Sequence, residues 1–168
     1  MKTLLLMRHA KSSWKEKGIE DHERGLNKRG LKDAPMMGHL LVEKELVPQR
    51  ILCSSALRGR KTAELVAEAS QYVGEITYLN SFYLAEPAAY LEGLIGLNDN
   101  LERVMIIGHN PGLEGLLQIF SHQVESLPTA AIAHIVLPVK DWADINEETD
   151  GDLVDLWRPR DLKHKSKK

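Results

Sequence analysis

The sequence predicts an α/β protein: a single-domain three-layer α/β/α sandwich around a mostly parallel, mixed central sheet. Three observations predict it. Short apolar runs at residues 3–7, 50–54 and 103–107 read as strands buried on both faces, as in parallel sheets covered by helices. Segments with a helical apolar period separate them, so strands and helices alternate. Two late strand-like runs, 130–137 and 152–157, are joined by an acidic loop around 141–150, and this hairpin-like pair makes the sheet mixed.

Each element has its own justification. After the first strand, residues 11–24 are too charged for a core element and long enough to be a functional loop. From Asn27, apolar residues recur at spacings of one, three and four, which predicts a helix near 27–46 with Asn27 as cap and Pro48 as stop. Pro35 inside it predicts a kink or a late start. Residues 56–72 repeat Leu57, Ala63, Val66, Ala67 and Ala69 at helical spacing. A third strand at 76–79 and a short helix at 87–97, opened by Pro87, follow. In Gly108-His109-Asn110-Pro111, Asn110 is placed to cap and Pro111 to start a helix that continues through 113–120. Residues 1–158 form one domain, and 159–168 read as a basic, flexible C-terminal tail.

The 168 residues, 43% hydrophobic and 27% charged, suit one domain with a sizeable core. No apolar run approaches the roughly 18 residues needed to span a bilayer, and the opening run is too short for a signal peptide. One cysteine, Cys53, excludes an internal disulfide framework. The expected location is the cytoplasm. The net charge of −2 hides an asymmetry: residues 1–61 carry +7, residues 62–157 carry −14, and residues 158–168 carry +5. A near-neutral total therefore says nothing about the local field around a charged substrate.

Three segments fall at one topological position, the carboxyl end of a buried strand, where open α/β sheets bind ligands. They are Arg8-His9, Ser54 through Thr62, and Gly108-His109. The middle one places Arg58, Arg60 and Lys61 at a helix start, against the helix dipole, and a bound anion would offset that cost. Neutral imidazole is a nucleophile, arginine's planar fork matches phosphate oxygens, and a second imidazole can donate to a phosphoryl oxygen. Phosphoryl transfer needs mainly positioning and charge neutralisation, and this set supplies both.

In order and spacing, Arg8-His9-Ala10, Ser54–Thr62 and Gly108-His109-Asn110-Pro111 resemble the signatures of the histidine phosphatase (phosphoglycerate-mutase-like) superfamily. The Arg-His-Ala-Lys-Ser-Ser-Trp opening and the run from Asp21 to Gly30 resemble its SixA-type, phosphohistidine phosphatase branch, with the likeness covering about residues 1–137. The resemblance implies that His9 is a nucleophile that becomes transiently phosphorylated. It implies that Arg8, Arg58 and His109 surround the phosphoryl group, with Ser12 a further phosphate contact. No metal or organic cofactor is expected. The implied partner is a protein bearing phosphohistidine or a small phosphorylated molecule, with neither nucleic acid nor membrane involved.

Ala10 stands where the family usually has glycine, and Lys15 where mutases carry asparagine. No residue matches the carboxylate that serves many members as general acid; Glu86 is the nearest candidate, though a helix-start acid is its plainer role. An alkoxide leaving group needs such an acid more than phosphohistidine does, so the gap favours a phosphoramidate substrate. A phosphatase of small phosphate monoesters and a non-catalytic phosphoryl-binding module are the alternatives. His22, His39, His122, His134 and His164 read as surface or packed residues, and Trp142 and Trp157 as packing. Trp14 lines or covers the pocket, and Arg24, Lys28 and Arg29 read as a solvated basic face.

Overall fold

The computed structural model describes residues 1–15 and 17–166. Six strands form one sheet in the order β3-β2-β4-β1-β5-β6. They are β1 (Lys2–Arg8), β2 (Arg50–Ser54), β3 (Glu75–Leu79), β4 (Arg103–Gly108), β5 (Ile132–Leu137) and β6 (Asp152–Trp157). The first four run parallel, and β5 lies antiparallel to both β1 and β6. The mixed sheet anticipated from the late hairpin-like pair is thus present. The helices are α1 (Lys28–Glu43), α2 (Leu57–Ser70), α3 (Pro87–Ile95), α4 (Gly112–Ser121) and α5 (Pro159–Ser166).

Alternation along the strands assigns the two faces. Leu5, Met7, Ile51, Cys53, Met105 and Ile107 point to one side, where they join Ala34, Met37 and Leu41 of α1 and Ala63 and Val66 of α2. Leu4, Leu6, Leu52, Val104 and Ile106 point to the other, against Tyr90 and Leu94 of α3 and Leu113, Leu117 and Phe120 of α4. Trp142, fully buried in a 3₁₀ turn, closes the second core and donates Nε1–H to Leu101 O at 2.6 Å. Trp157 packs at the edge of the first and stacks on His134.

Helix α1 starts as expected, with Asn27 Oδ1 accepting from Gly30 N–H at 2.9 Å. It runs on through Pro35; the carbonyl that proline leaves without a helical donor belongs to Leu31, on the exposed side where water can serve it. At Gly38 the helix nearly touches α2: a methyl there would lie 2.8 Å from both Ala69 Cβ and Val66 O. Only glycine permits that approach.

Two local expectations are corrected. Asn110 does not cap α4, because Pro111 takes the cap position and Asn110 Nδ2 donates instead to Leu127 O at 2.8 Å. Residues 159–166 are helical rather than a solvated tail. Leu162 packs on the core shared by α1 and α2, and Lys163 Nζ lies 2.7 Å from the fully buried carboxylate of Asp33. The side chain of His164 and residues 167–168 lie outside the described residues. Among the described residues no helix is long and apolar enough to cross a membrane.

The topology decides which strand ends meet. The chain passes from β1 across to β2, moves out to β3, and returns to place β4 between β2 and β1. The carboxyl ends of β1, β4 and β2 are therefore adjacent, with Arg8 paired to Gly108 and Cys53 to Ile107.

Candidate active site

Residues immediately beyond those three strand ends enclose a pocket of about 360 Å³. Arg8, His9, Ser12, Arg58 and His109, all expected at a site, line it together. Glu86 does not: it stands exposed at the start of α3, outside the lining. Arg60 and Lys61 also turn away. Arg60 Nε donates to Ser55 O at 3.0 Å, and Lys61 pairs with Glu64 on the surface. The helical period explains this, since only Arg58 of the three faces the strand ends while its neighbours point around the helix.

The turn after β1 is fixed from both sides. His9 N–H donates to Gly108 O at 3.1 Å, and Ala10 N–H donates to Thr62 Oγ1 at 2.9 Å. The Thr62 hydroxyl in turn donates to Arg58 O at 2.7 Å, so the Arg-His turn and the first turn of α2 share one clamp. His9 is 6% exposed and its Nδ1 lies 2.8 Å from Ala10 O. A carbonyl can only accept, so Nδ1 carries the proton and Nε2 keeps its lone pair. Burial, reinforced by His109, Arg58 and Arg8, pushes the imidazole down from 6.5 to about 3. The ring is neutral at physiological pH.

His109 faces it with ring centroids 5.0 Å apart. Its backbone is held by Tyr90, whose hydroxyl accepts from His109 N–H at 3.1 Å. Its Nε2 lies 2.7 Å from Ser54 Oγ, and burial followed by the Arg58 charge lowers it from 6.5 to about 4.

Arg58, 3% exposed, donates from Nη1 to Asp21 O at 2.8 Å and from Nη2 to Asp21 Oδ2 at 3.0 Å. Arg8 donates from Nη1 to Leu127 O at 3.3 Å. Three buried nitrogens around His9 then have no partner within the described residues: Arg8 Nε, Arg58 Nε and His109 Nδ1. Buried polar groups are rarely left so, and the two arginine N–H groups among them are donors that call for an acceptor at the pocket; Asn110 Oδ1, an acceptor in the same lining, is likewise without a partner among the described residues. The field agrees, for among the described residues the lining contains four cationic side chains, Arg8, Lys11, Arg24 and Arg58, against the single carboxylate of Asp21. Among the described residues no group of His, Cys, Asp and Glu could hold a metal ion.

The loop of residues 11–27 supplies what sequence reasoning missed. Asp21 accepts from the Tyr83 hydroxyl, from Arg24 and from Arg58, and these bonds hold its carboxyl well below the usual carboxylate range. Arg24, read as part of a solvated face, instead donates to Ser12 Oγ at 2.8 Å, while Lys28 and Arg29 stay exposed. The Arg24 guanidinium also lies 3.5 Å from the centre of the Trp14 ring, which is 72% exposed at the pocket mouth. His22, read as a surface or packed residue, packs edge-on against Tyr83 and reaches Ser55 Oγ at 2.9 Å. No spacing in the chain announces these partners. The available signal was the density of charge at 20–29, where six of ten residues are charged.

The model of the histidine phosphatase superfamily (branch 1) matches residues 4–82, which hold Arg8, His9, Asp21 and Arg58. The chain belongs to the histidine phosphatase superfamily. Among curated relatives, an uncharacterized chloroplastic protein of Arabidopsis thaliana is 31% identical over 139 residues, covering 77% of this chain and 64% of that one. An uncharacterized protein of Mycobacterium tuberculosis is 30% identical over 151 residues, covering 83% and 91%. Within the superfamily this member is of SixA type. Its fold matches that of a candidate phosphohistidine phosphatase SixA from Agrobacterium tumefaciens with a TM-score of 0.81, 27% identity and coverage of 94% and 98%. The protein histidine phosphatase SixA solved with tungstate has the same fold, at a TM-score of 0.81, 21% identity and coverage of 95% and 99%. The phosphatase chemistry of a histidine-intermediate family therefore has its structural frame here.

Proposed function

We propose that this protein removes phosphoryl groups from phosphohistidine in proteins, through a covalent intermediate on His9. The observation that carries the reading is the neutral His9, its Nε2 lone pair free, in a pocket lined by two arginines whose buried Nε–H groups have no partner among the described residues. In the first step the Nε2 pair attacks phosphorus, a new N–P bond forms, and the substrate P–N bond breaks with its electrons going to the leaving nitrogen. When the other nitrogen of the substrate ring carries a proton, imidazole departs neutral and needs no acid. Water then attacks phospho-His9, releasing phosphate and restoring the free nitrogen. Arg8, Arg58 and His109 stabilise the oxygens that bear the developing charge, with Ser12 beside them.

The substrate class follows from the acid chemistry of the pocket. Among the described residues Asp21 is the carboxylate of the lining, and its three donors keep it ionised, so it has no proton for an alkoxide. Glu86 stands outside. A phosphoramidate, whose leaving group needs no such proton, suits this site better than a phosphate ester does.

Incubation with phosphoramidate followed by an alkaline quench tests the reading, because phosphohistidine is acid-labile and base-stable. Label should appear in the wild type and vanish in His9→Ala. A label that persists in that variant overturns the role of His9. Faster turnover of p-nitrophenyl phosphate than of a phosphohistidine peptide overturns the substrate class, and vanadate binding with no turnover of either would point to a binding module.

A further inference from the structure

Ser54, the last residue of β2, is fully buried, and its hydroxyl oxygen has two partners among the described residues. Ala56 N–H lies 3.2 Å away and can only donate. His109 Nε2 lies 2.7 Å away and either donates or accepts, depending on where the imidazole keeps its proton. Suppose that proton is on Nε2. Ser54 Oγ then accepts twice, its own hydrogen has no acceptor in a fully buried place, and His109 Nδ1 becomes a buried acceptor with nothing to accept. Suppose instead that it is on Nδ1. Ser54 then donates to Nε2 and accepts from Ala56, so both of its functions are satisfied, and His109 presents an N–H from the nitrogen that lacks a partner in the pocket. Leaving a buried polar group unmade costs about 1–3 kcal/mol; the first arrangement leaves two such groups, the second only the Nδ1–H that faces no partner.

We propose that Ser54 is a positioning residue: its hydroxyl fixes His109 in the Nδ1–H tautomer and so aims a hydrogen-bond donor at the phosphoryl oxygen. The proposal rests on the phosphatase reading for its purpose but not for its geometry. A hydroxyl suits the task because it can also reverse, accepting from Nε2–H if the imidazole becomes a cation beside the charged phosphoryl group. An alanine here would leave the neutral ring free to take either tautomer, and one of them turns a lone pair toward the anion.

The test begins with the wild-type protein, labelled with ¹⁵N-histidine. The His109 signals are assigned by their loss in His109→Gln. A pyrrole-type shift at Nδ1 and a pyridine-type shift at Nε2 are expected; the reverse pattern overturns the proposal. In Ser54→Ala the two shifts should move toward each other as the tautomers mix, and unchanged shifts also overturn it. The rate of phosphoenzyme formation from phosphoramidate should fall about tenfold in Ser54→Ala with KM little changed, the factor that one lost hydrogen bond accounts for. Ser54→Thr, which keeps the hydroxyl, should restore both shifts and rate. An active enzyme with the wrong tautomer sinks the role of Ser54 alone. The right tautomer in a protein that forms no phosphoenzyme sinks the phosphatase reading alone.

Discussion

Replacing Arg58 with lysine keeps the charge at the pocket and removes the fork, which separates two things an arginine could contribute. The guanidinium engages Asp21 twice, at 2.8 and 3.0 Å, and its Nε–H is buried and without a partner among the described residues. A lysine ammonium can occupy one of these positions at a time. Loss of one donor to a developing phosphoryl oxyanion costs roughly 10²–10³ in rate, or about 3–4 kcal/mol. The cost to stability is smaller. The Asp21 side chain is 42% exposed, so its ion pair with Arg58 is screened, and Asp21 keeps Arg24 and Tyr83. A pair of that kind is worth about 1 kcal/mol at most. Single-turnover phosphoenzyme formation should therefore slow by at least about a hundredfold in Arg58→Lys while the melting temperature falls by only a few degrees. If the lysine variant came within about threefold of wild type, charge alone would suffice and the role assigned to the fork would be wrong.

Acidity should weaken the fold through the same site. His9 and His109 sit at about 3 and about 4 in the folded protein and near 6.5 in the unfolded chain. Between pH 6.5 and pH 5 the unfolded state takes up protons that the folded state refuses, so lowering the pH over that interval costs about 1–2 kcal/mol per ring. Urea denaturation at the two pH values should show this loss in wild type and lose about 3 kcal/mol of the difference in a His9→Asn/His109→Gln double variant; equal pH dependence would refute the linkage. At the far end of α2, Gln71 closes the helix with φ 56° and ψ 35°, a left-handed conformation that strains a side-chain residue. Gln71→Gly should raise the melting temperature by about 1–3 °C without altering turnover, and a decrease on calorimetry would refute the strain argument.

The elements that could be read from the sequence were those with a strong local signature. Strands β2 and β6 fall where their apolar runs and flanks place them, and His9, Arg58 and His109 meet because each follows a buried strand. The rest depended on contacts between distant residues. Asp21 and Arg58 are 37 positions apart, and nothing local shows that an acidic loop residue will cap an arginine on a helix. Ser54 opens one of the three segments read at the strand ends, yet its own part emerges only when its hydrogen has to be placed. Asn110 and the C-terminal segment misled for the same reason. A cap residue was drawn off by the Leu127 carbonyl, and a lysine-rich stretch became a helix because Leu162 found the core and Lys163 a buried acid.

The adjacency of the β1, β4 and β2 ends has a consequence for the life of the chain. Residues 9, 58 and 109 come from widely separated stretches, and they meet only when all three strands lie side by side. An oxyanion therefore has no binding site on a chain that is partly assembled, and it stabilises the finished sheet alone. At a hundred times its dissociation constant such a ligand adds about 2.7 kcal/mol to the free energy of unfolding. That is as much as many core substitutions remove. Inorganic phosphate, the product of the proposed reaction, would thus act as a ligand that buffers the protein against damage anywhere in its sheet.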